Sequence, residues 1–447
     1  MFHCKYDPEL HPMQSTLDRT ADILISPIGE LATPKQTHGP VRGADMQGIE
    51  RTKDAAVAIR NGRVIAVGKA TDLEKEVITT ADTIRIDAGG KLITPGLVDP
   101  HTHLIFGGNR ANEFIMRCQG KSYAEIANAG GGIVASMKGT REASTDKLAT
   151  DSLARLKRMS EHGTTTCEIK TGYGLDQKTE LAMLDVILQL QAKSQVTVIP
   201  TFMPAHAIPP GTSRESYVSE ILESMLPAAA SLRDSRANGK APENLFVDVF
   251  CDKGYFTLDD TRLIFEKAKS LGMQLKVHSD EFEALGATAF AIKSGAASAD
   301  HLLKISDVDI ALFGKSDTIP ILLPGTSFYL NLDEHAPARK LIDAGAAVAL
   351  GSDFNPGSCH IFSLPFIWGL ACLHLKMTPA EALTALTINA AYALRSGDTA
   401  GRIACGYRAD ITIYDVPVIE EVPYNIGWNP VSMTIHEGQI VYDKNSH

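Results

Sequence analysis

Two histidines one residue apart, His101 and His103 in "PGLVDPHTH", follow an apolar run. A strand sends alternate side chains to one face, so both imidazoles aim at one spot. His278 in "VHSDE" also ends an apolar run, and Asp353 stands in "GSDFNPGS". Three imidazoles and a carboxylate suit one borderline divalent ion, Zn2+ or iron. An ion held this way keeps an open position for water and lowers its pKa, so a hydrolytic nucleophile is available at neutral pH. Glu281, three residues beyond His278, is placed to serve as a proton shuttle. Asp353 has an alternative reading as a helix cap.

Other chemistry-bearing residues fall at the ends of similar runs. His301 in "SADHL" reads as a catalytic or supporting imidazole, and His206 in "MPAHAIPP" as a functional one. Tyr173 lies in "TGYG" after another run. Lys170 ends that run, where a second metal would recruit a modified lysine; with no second ligand set visible it is read as structural. The glycines 130–132 lack the GxxxxGK[ST] pattern and follow no strand, so they read as a helix stop or tight turn and not as a phosphate loop.

The elements that must position these groups alternate along the chain. Eight apolar runs, Leu92–Leu104, Thr164–Lys170, Val196–Ala207, Leu245–Asp252, Gln274–Asp280, Ala296–Leu302, Ile319–Phe328 and Ala346–Asp353, are separated by helix-like stretches. They read as strands apolar on both faces, which predicts a (β/α)8 barrel with its chemistry at the C-terminal strand ends. Both chain ends are β-rich. Asn61-Gly62 predicts a hairpin, and residues 32–53 read as a loop. The expected division is a tail over 1–18, a composite β-sandwich from 19–90 and 396–447, and a catalytic barrel over 91–395.

Composition bounds the partners. The 447 residues are 44% hydrophobic and 21% charged, with a net charge of −10, which argues against nucleic acid and anionic membrane. A small acidic substrate stays compatible, because one local arginine outweighs global charge. No stretch is apolar enough to span a bilayer, and the N-terminus lacks the pattern of a signal peptide. The seven cysteines are scattered without a CxxC and read as reduced thiols, so a cytoplasmic protein is expected. A homodimer is the expected assembly.

Taken together, "HTHLIFGGNRANEFIMRCQGKSYAEIANAGGGI", "EIKTGYGL", "MPAHAIPP", "VHSDEF", "SADHL" and "GSDFNPGS" resemble the imidazolonepropionase family of the metal-dependent amidohydrolases. The resemblance runs from about Asp54 to Val416. It implies one metal ion on His101, His103, His278 and Asp353. It also implies that Arg110, Tyr173 and His206 bind imidazolone propionate, and that Asn355, Gly357 and Ser358 receive polar groups of the product. The implied reaction opens the ring of 4-imidazolone-5-propanoate with water to give N-formimino-L-glutamate, in histidine degradation. A metal-activated water attacks, His301 and Asp353 help deprotonate it, and Glu281 moves the proton. An arginine is the right cation for the propionate arm. A deaminase of the same superfamily would share the metal set without needing Arg110, and a metal-free scaffold would not need the ligands at all.

Overall fold

The computed structural model describes residues 19–121, 125–126, 130–237 and 244–446. The tail expected over residues 1–18 lies outside the described residues.

Eight parallel strands pair in chain order: Leu97–Asp99, Thr164–Lys170, Thr197–Ala205, Phe246–Cys251, Gln274–Ser279, Ser298–His301, Ile319–Leu322 and Ala349–Leu350. Helices such as Thr145–Ser160, Gln177–Lys193 and Leu258–Ser270 fill the crossovers. Their starts are encoded locally: Ser144, Asp176 and Thr257 each accept a backbone N–H from the first helical turn. The ring closes just beyond its strands, where the Asp353 N–H donates to the His101 carbonyl (3.0 Å) and the His103 N–H to the Phe354 carbonyl (2.9 Å). Residues marked for chemistry in the sequence therefore also seal the barrel.

The two chain ends meet in one connected eight-stranded sheet. Leu92–Pro95 is its seam, parallel to Ile23–Pro34 on one side and antiparallel to Ile411–Tyr414 on the other. Inward side chains from Ile23–Pro34, Ile49–Arg60, Arg63–Lys69, Leu92–Pro95 and Ile411–Tyr414 share one apolar core. Asn61-Gly62 turns the hairpin between Ile49–Arg60 and Arg63–Lys69.

Four readings change. The run Leu92–Leu104 is two strands in two sheets, parted at Pro95-Gly96, and the change from sheet to barrel falls there and not at residue 91. Proline has no N–H to continue a ladder, and a Cβ on Gly96 would lie 2.3 Å from Thr165 Oγ1. The loop expected over 32–53 is shorter, because Ile23–Pro34 and Ile49–Arg60 pair almost to their ends, with Glu30 opposite Lys53. The seventh run ends its strand at Leu322, and Pro324 opens a short helix in its favoured first-turn position.

The fourth change matters most. The barrel strands are not apolar on both faces: Glu168, Lys170, Asp248, Lys276 and Asp300 are all fully buried. They tolerate burial because they pair with one another across the barrel. Among the described residues no helix is long and apolar enough to cross a membrane. Cys118, Cys167, Cys251, Cys359 and Cys372 are free thiols.

A single buried amide links the N-terminal segment to the eighth strand. Asn389 accepts from the Val41 N–H (2.8 Å) and donates to the carbonyls of Val41 and Val348 (2.9 Å each). Asn389→Ala strands three buried polar groups, and each costs roughly 1–3 kcal/mol when orphaned. Stability should fall by at least about 3 kcal/mol on that scale. Equilibrium urea unfolding checks this, and an unchanged midpoint would contradict the assigned role of Asn389.

Candidate metal centre

The ends of the first, fifth and eighth barrel strands deliver His101, His103, His278 and Asp353 to one point. His101 Nε2 lies 3.5 Å from Asp353 Oδ1, and His103 Nε2 lies 3.8 Å from the same oxygen. His103 Nε2 is 3.2 Å from His278 Nε2. All four side chains are buried.

Their orientation is set from behind. His101 Nδ1 lies 2.6 Å from Asp300 Oδ2, and His278 Nδ1 lies 3.0 Å from Asp248 Oδ1. A carboxylate accepts only, so each Nδ1 carries the hydrogen and each Nε2 keeps a lone pair toward the common point. Asp353 is turned similarly: Thr326 Oγ1 donates to Oδ2 at 2.6 Å, leaving Oδ1 to face the imidazoles. Burial, with the Lys170 ammonium and the crowding of imidazoles adding to it, pushes the pKa values of His101 and His103 well below the usual range, so the neutral rings are favoured. Buried His101 Nε2 has no hydrogen-bond partner. Neutral nitrogens with an orphaned lone pair, gathered around one carboxylate oxygen, fit a divalent cation.

The two carboxylates behind the histidines belong to the charge cluster inside the barrel. Lys170 Nζ lies 2.7 Å from Asp248 Oδ2, 2.8 Å from Glu168 Oε2 and 3.8 Å from Asp300 Oδ2. Lys276 Nζ donates to Glu168 Oε1 (2.7 Å) and to the Pro100 carbonyl (2.8 Å). Burial opposes the charge on Lys170, but its three carboxylates outweigh burial and raise its pKa. Asp248, His278 and Asp300 also have ligand-like spacing. Lys170 already supplies the cation there.

Glu281 and His301 stand beside the ligand cluster. His301 Nδ1 lies 3.7 Å from Glu281 Oε2, and its ring centroid is 5.1 Å from that of His278. Burial raises the Glu281 carboxyl well above the ordinary range, and the charges of Asp353 and Asp252 add to the rise. Burial likewise keeps His301 neutral. Asp280, His301 and Asp353 adopt φ values of 55°, 78° and 52°, a left-handed backbone uncommon outside glycine. Such positions concentrate where surrounding structure forces a side chain into place.

His206 and Tyr173 form one wall. His206 stacks on His103, with centroids 4.6 Å apart and planes at 16°. Its Nδ1 donates to the Gly172 carbonyl (3.0 Å), and burial lowers its pKa to about 3. Tyr173 lies 5.2 Å from His206 and 5.8 Å from His103, centroid to centroid. Arg110 is buried against Glu113, with Nη2 2.7 Å from Oε2. Its guanidinium lies over Gly357, where a Cβ would come within 1.9 Å of Arg110 Cζ. Only glycine permits that approach. Asn355 is engaged by its own loop: Oδ1 accepts from the N–H groups of Gly357 (2.8 Å) and Ser358 (2.7 Å), and Nδ2 donates to the Asp353 carbonyl (2.7 Å).

Sequence reasoning missed Asp248, Asp300, Glu168 and Lys276 because they sit inside strands read as apolar. Their alternation with apolar residues, as in "FVDVFC" and "QLKVHS", was the available signal. Glu113, the partner of Arg110, was also missed; its spacing of three residues on a helix was the clue.

Comparison with known proteins places this arrangement. Residues 92–441 match the amidohydrolase family model. The imidazolonepropionase of Symbiobacterium thermophilum is 44% identical over 428 residues, covering 95% of this chain and 98% of that protein. That of Herpetosiphon aurantiacus is 42% identical over 429 residues, covering 96% and 99%. Among solved structures, an adenosine deaminase from Xanthomonas campestris with bound zinc aligns at a TM-score of 0.69 with 17% identity, over 94% of this chain and 93% of that one. This last likeness is one of fold.

Asp300→Asn tests the orientation from behind. An amide presents either an oxygen or an N–H to His101 Nδ1, so the imidazole loses its fixed tautomer. Metal affinity should fall by about 10–100-fold, the usual effect of removing such a partner. Chelator competition measures it, and unaltered affinity would show that Asp300 does not orient His101.

Proposed function

The chain belongs to the imidazolonepropionase family of amidohydrolases, and on that premise we propose that it opens the ring of 4-imidazolone-5-propanoate with water to give N-formimino-L-glutamate, a step of histidine degradation. The observation that carries the reading is the convergence of His101, His103, His278 and Asp353 beside the Glu281–His301 pair. One divalent ion per chain, zinc or iron, fits those four residues and when bound supplies a Lewis acid and a hydrolytic water at neutral pH.

The chain's own residues supply the rest. Arg110 receives the propionate carboxylate, and Glu113 holds its guanidinium in place. Tyr173 and His206 flank the ring, and the loop bearing Asn355, Gly357 and Ser358 closes over the polar edge. Water adds its oxygen to the ring carbonyl carbon, and the amide C–N bond breaks. One proton of the water passes to His301, a neutral imidazole, with the Asp353 carboxylate assisting, and it restores Glu281 after that residue has given its own proton to the nitrogen. Glu281 delivers a proton to the departing ring nitrogen. Its burial suits that task, because a carboxyl with a raised pKa holds a proton to donate.

Purified protein should contain one divalent ion per chain and consume imidazolone propionate without releasing ammonia. Elemental analysis with an absorbance assay decides this. Two ions per chain, or ammonia release from an amidine-like ring in place of imidazolone loss, would overturn the assignment.

Glu281→Gln keeps shape and removes the transferable proton. Metal content should persist while kcat falls by about 10²–10⁴, the range for a lost acid–base group. A metal-loaded, fully active variant would remove Glu281 from the mechanism.

A further inference from the structure

We infer that Asp252 is a positioning residue for this reaction, its carboxylate fixing the backbone that aims Glu281 at the reacting groups; the inference rests on the role proposed for Glu281. Asp252 follows the fourth barrel strand and Glu281 follows the fifth. The two strands are parallel neighbours, with Ser279 opposite Cys251, so their following residues leave the barrel side by side.

Asp252 is buried, at 1% exposure. Its Oδ2 accepts from the N–H groups of Glu281 (2.8 Å) and Phe282 (3.0 Å). Its Oδ1 accepts from the N–H groups of Glu283 (2.9 Å) and Lys253 (2.7 Å). Among the described residues no lysine, arginine or histidine forms an ion pair with it within 4.0 Å. A buried carboxylate without a counter-ion is expensive unless hydrogen bonds satisfy it. Here the donors are four peptide N–H groups, three of them on the segment that carries Glu281.

The segment needs such a hold. Asp280, just before Glu281, has a φ of 55°, so the chain turns sharply as it leaves the strand. Thr288 Oγ1 donates to Asp280 Oδ2 (2.7 Å) and ties the other side of the turn. Between these two ties the Glu281 side chain points to His301 Nδ1, 3.7 Å away. Asp252 itself is committed to the backbone through both oxygens and leaves the chemistry to Glu281. Asparagine could not substitute: one oxygen would keep two of the bonds, and its NH2 group would meet the other two N–H donors head-on.

A double-mutant cycle on metal-loaded enzyme tests the inference. A misplacement of about an ångström in a reacting group costs on the order of a hundredfold in rate. Asp252→Asn should therefore lower kcat by about 10–100-fold, with KM changed less than about threefold and metal content intact. In a Glu281→Gln background the same substitution should lower kcat by less than about threefold, because the group it positions is already disabled. Equal losses in both backgrounds would overturn the inference, since Asp252 would then act on the fold at large. A folded Asp252→Asn enzyme with normal kcat would overturn it too. Full activity in Glu281→Gln alone would instead refute the role of Glu281, and the inference with it. Should Asp252→Asn not fold, Asp252→Glu decides by the same cycle: it keeps the charge and both acceptors but displaces them by one methylene.

Discussion

The ammonium of Lys170, wholly buried in the barrel, sits between the carboxylates of Glu168 and Asp248 with Asp300 just beyond. An ion buried without partners costs several kcal/mol, so these side chains are held as a set. The set has a direction. Asp248 gives one oxygen to Lys170 and the other to His278, while Asp300 faces Lys170 and His101 with the same oxygen. Fixing the lysine thus fixes two carboxylates, two imidazole tautomers and the lone pairs of two metal-ligand candidates. Glu168, Asp248 and Asp300 also outnumber Lys170 and Lys276, which leaves surplus negative charge beneath a site suited to a cation.

Around the rim, side-chain acceptors hold loops by their backbone N–H groups. Glu180 accepts from Gly172, Gly174 and Leu175 and so secures the loop of Tyr173. Glu113 accepts from the Gly132 N–H while pairing with Arg110. Asn355 gathers the N–H groups of residues 357–359. Each arrangement places a side chain proposed to meet the substrate through the chain that carries it, and each satisfies polar groups that burial would otherwise leave unpaired. Precise placement of this kind keeps His301 and Glu281, whose carboxyl burial pushes upward, together in one small space.

The residues proposed as ligands, His101, His103, His278 and Asp353, and the proposed proton carrier Glu281 could be singled out in the sequence because metal and proton chemistry demand particular residue types at strand ends. The barrel was legible because eight apolar runs alternate with helical stretches. The interior charges were not: Lys170 and Lys276 have sense only against Glu168, Asp248 and Asp300, which come from other strands, and one sequence shows no cross-strand partners. Residues acting through backbone N–H groups, such as Asp252 and Glu180, leave no pattern because the groups they recognise are the same in every residue. The split of the first run at Pro95-Gly96 was written in its residue types, yet it required knowing that Thr165 packs against the glycine.

The proposed dependence of the candidate metal centre on the buried cation is tested most directly by metal affinity in Lys170→Met, whose side chain fills similar space without charge. With Lys170 gone, Asp248 and Asp300 lose their shared counter-ion and turn or take up protons, and His101 and His278 lose their fixed orientation. The folded variant should bind its divalent ion at least about tenfold more weakly than the parent, the scale on which such supporting partners act. Parental affinity in a folded Lys170→Met protein would show that the histidines orient themselves and that the charge cluster serves only the barrel.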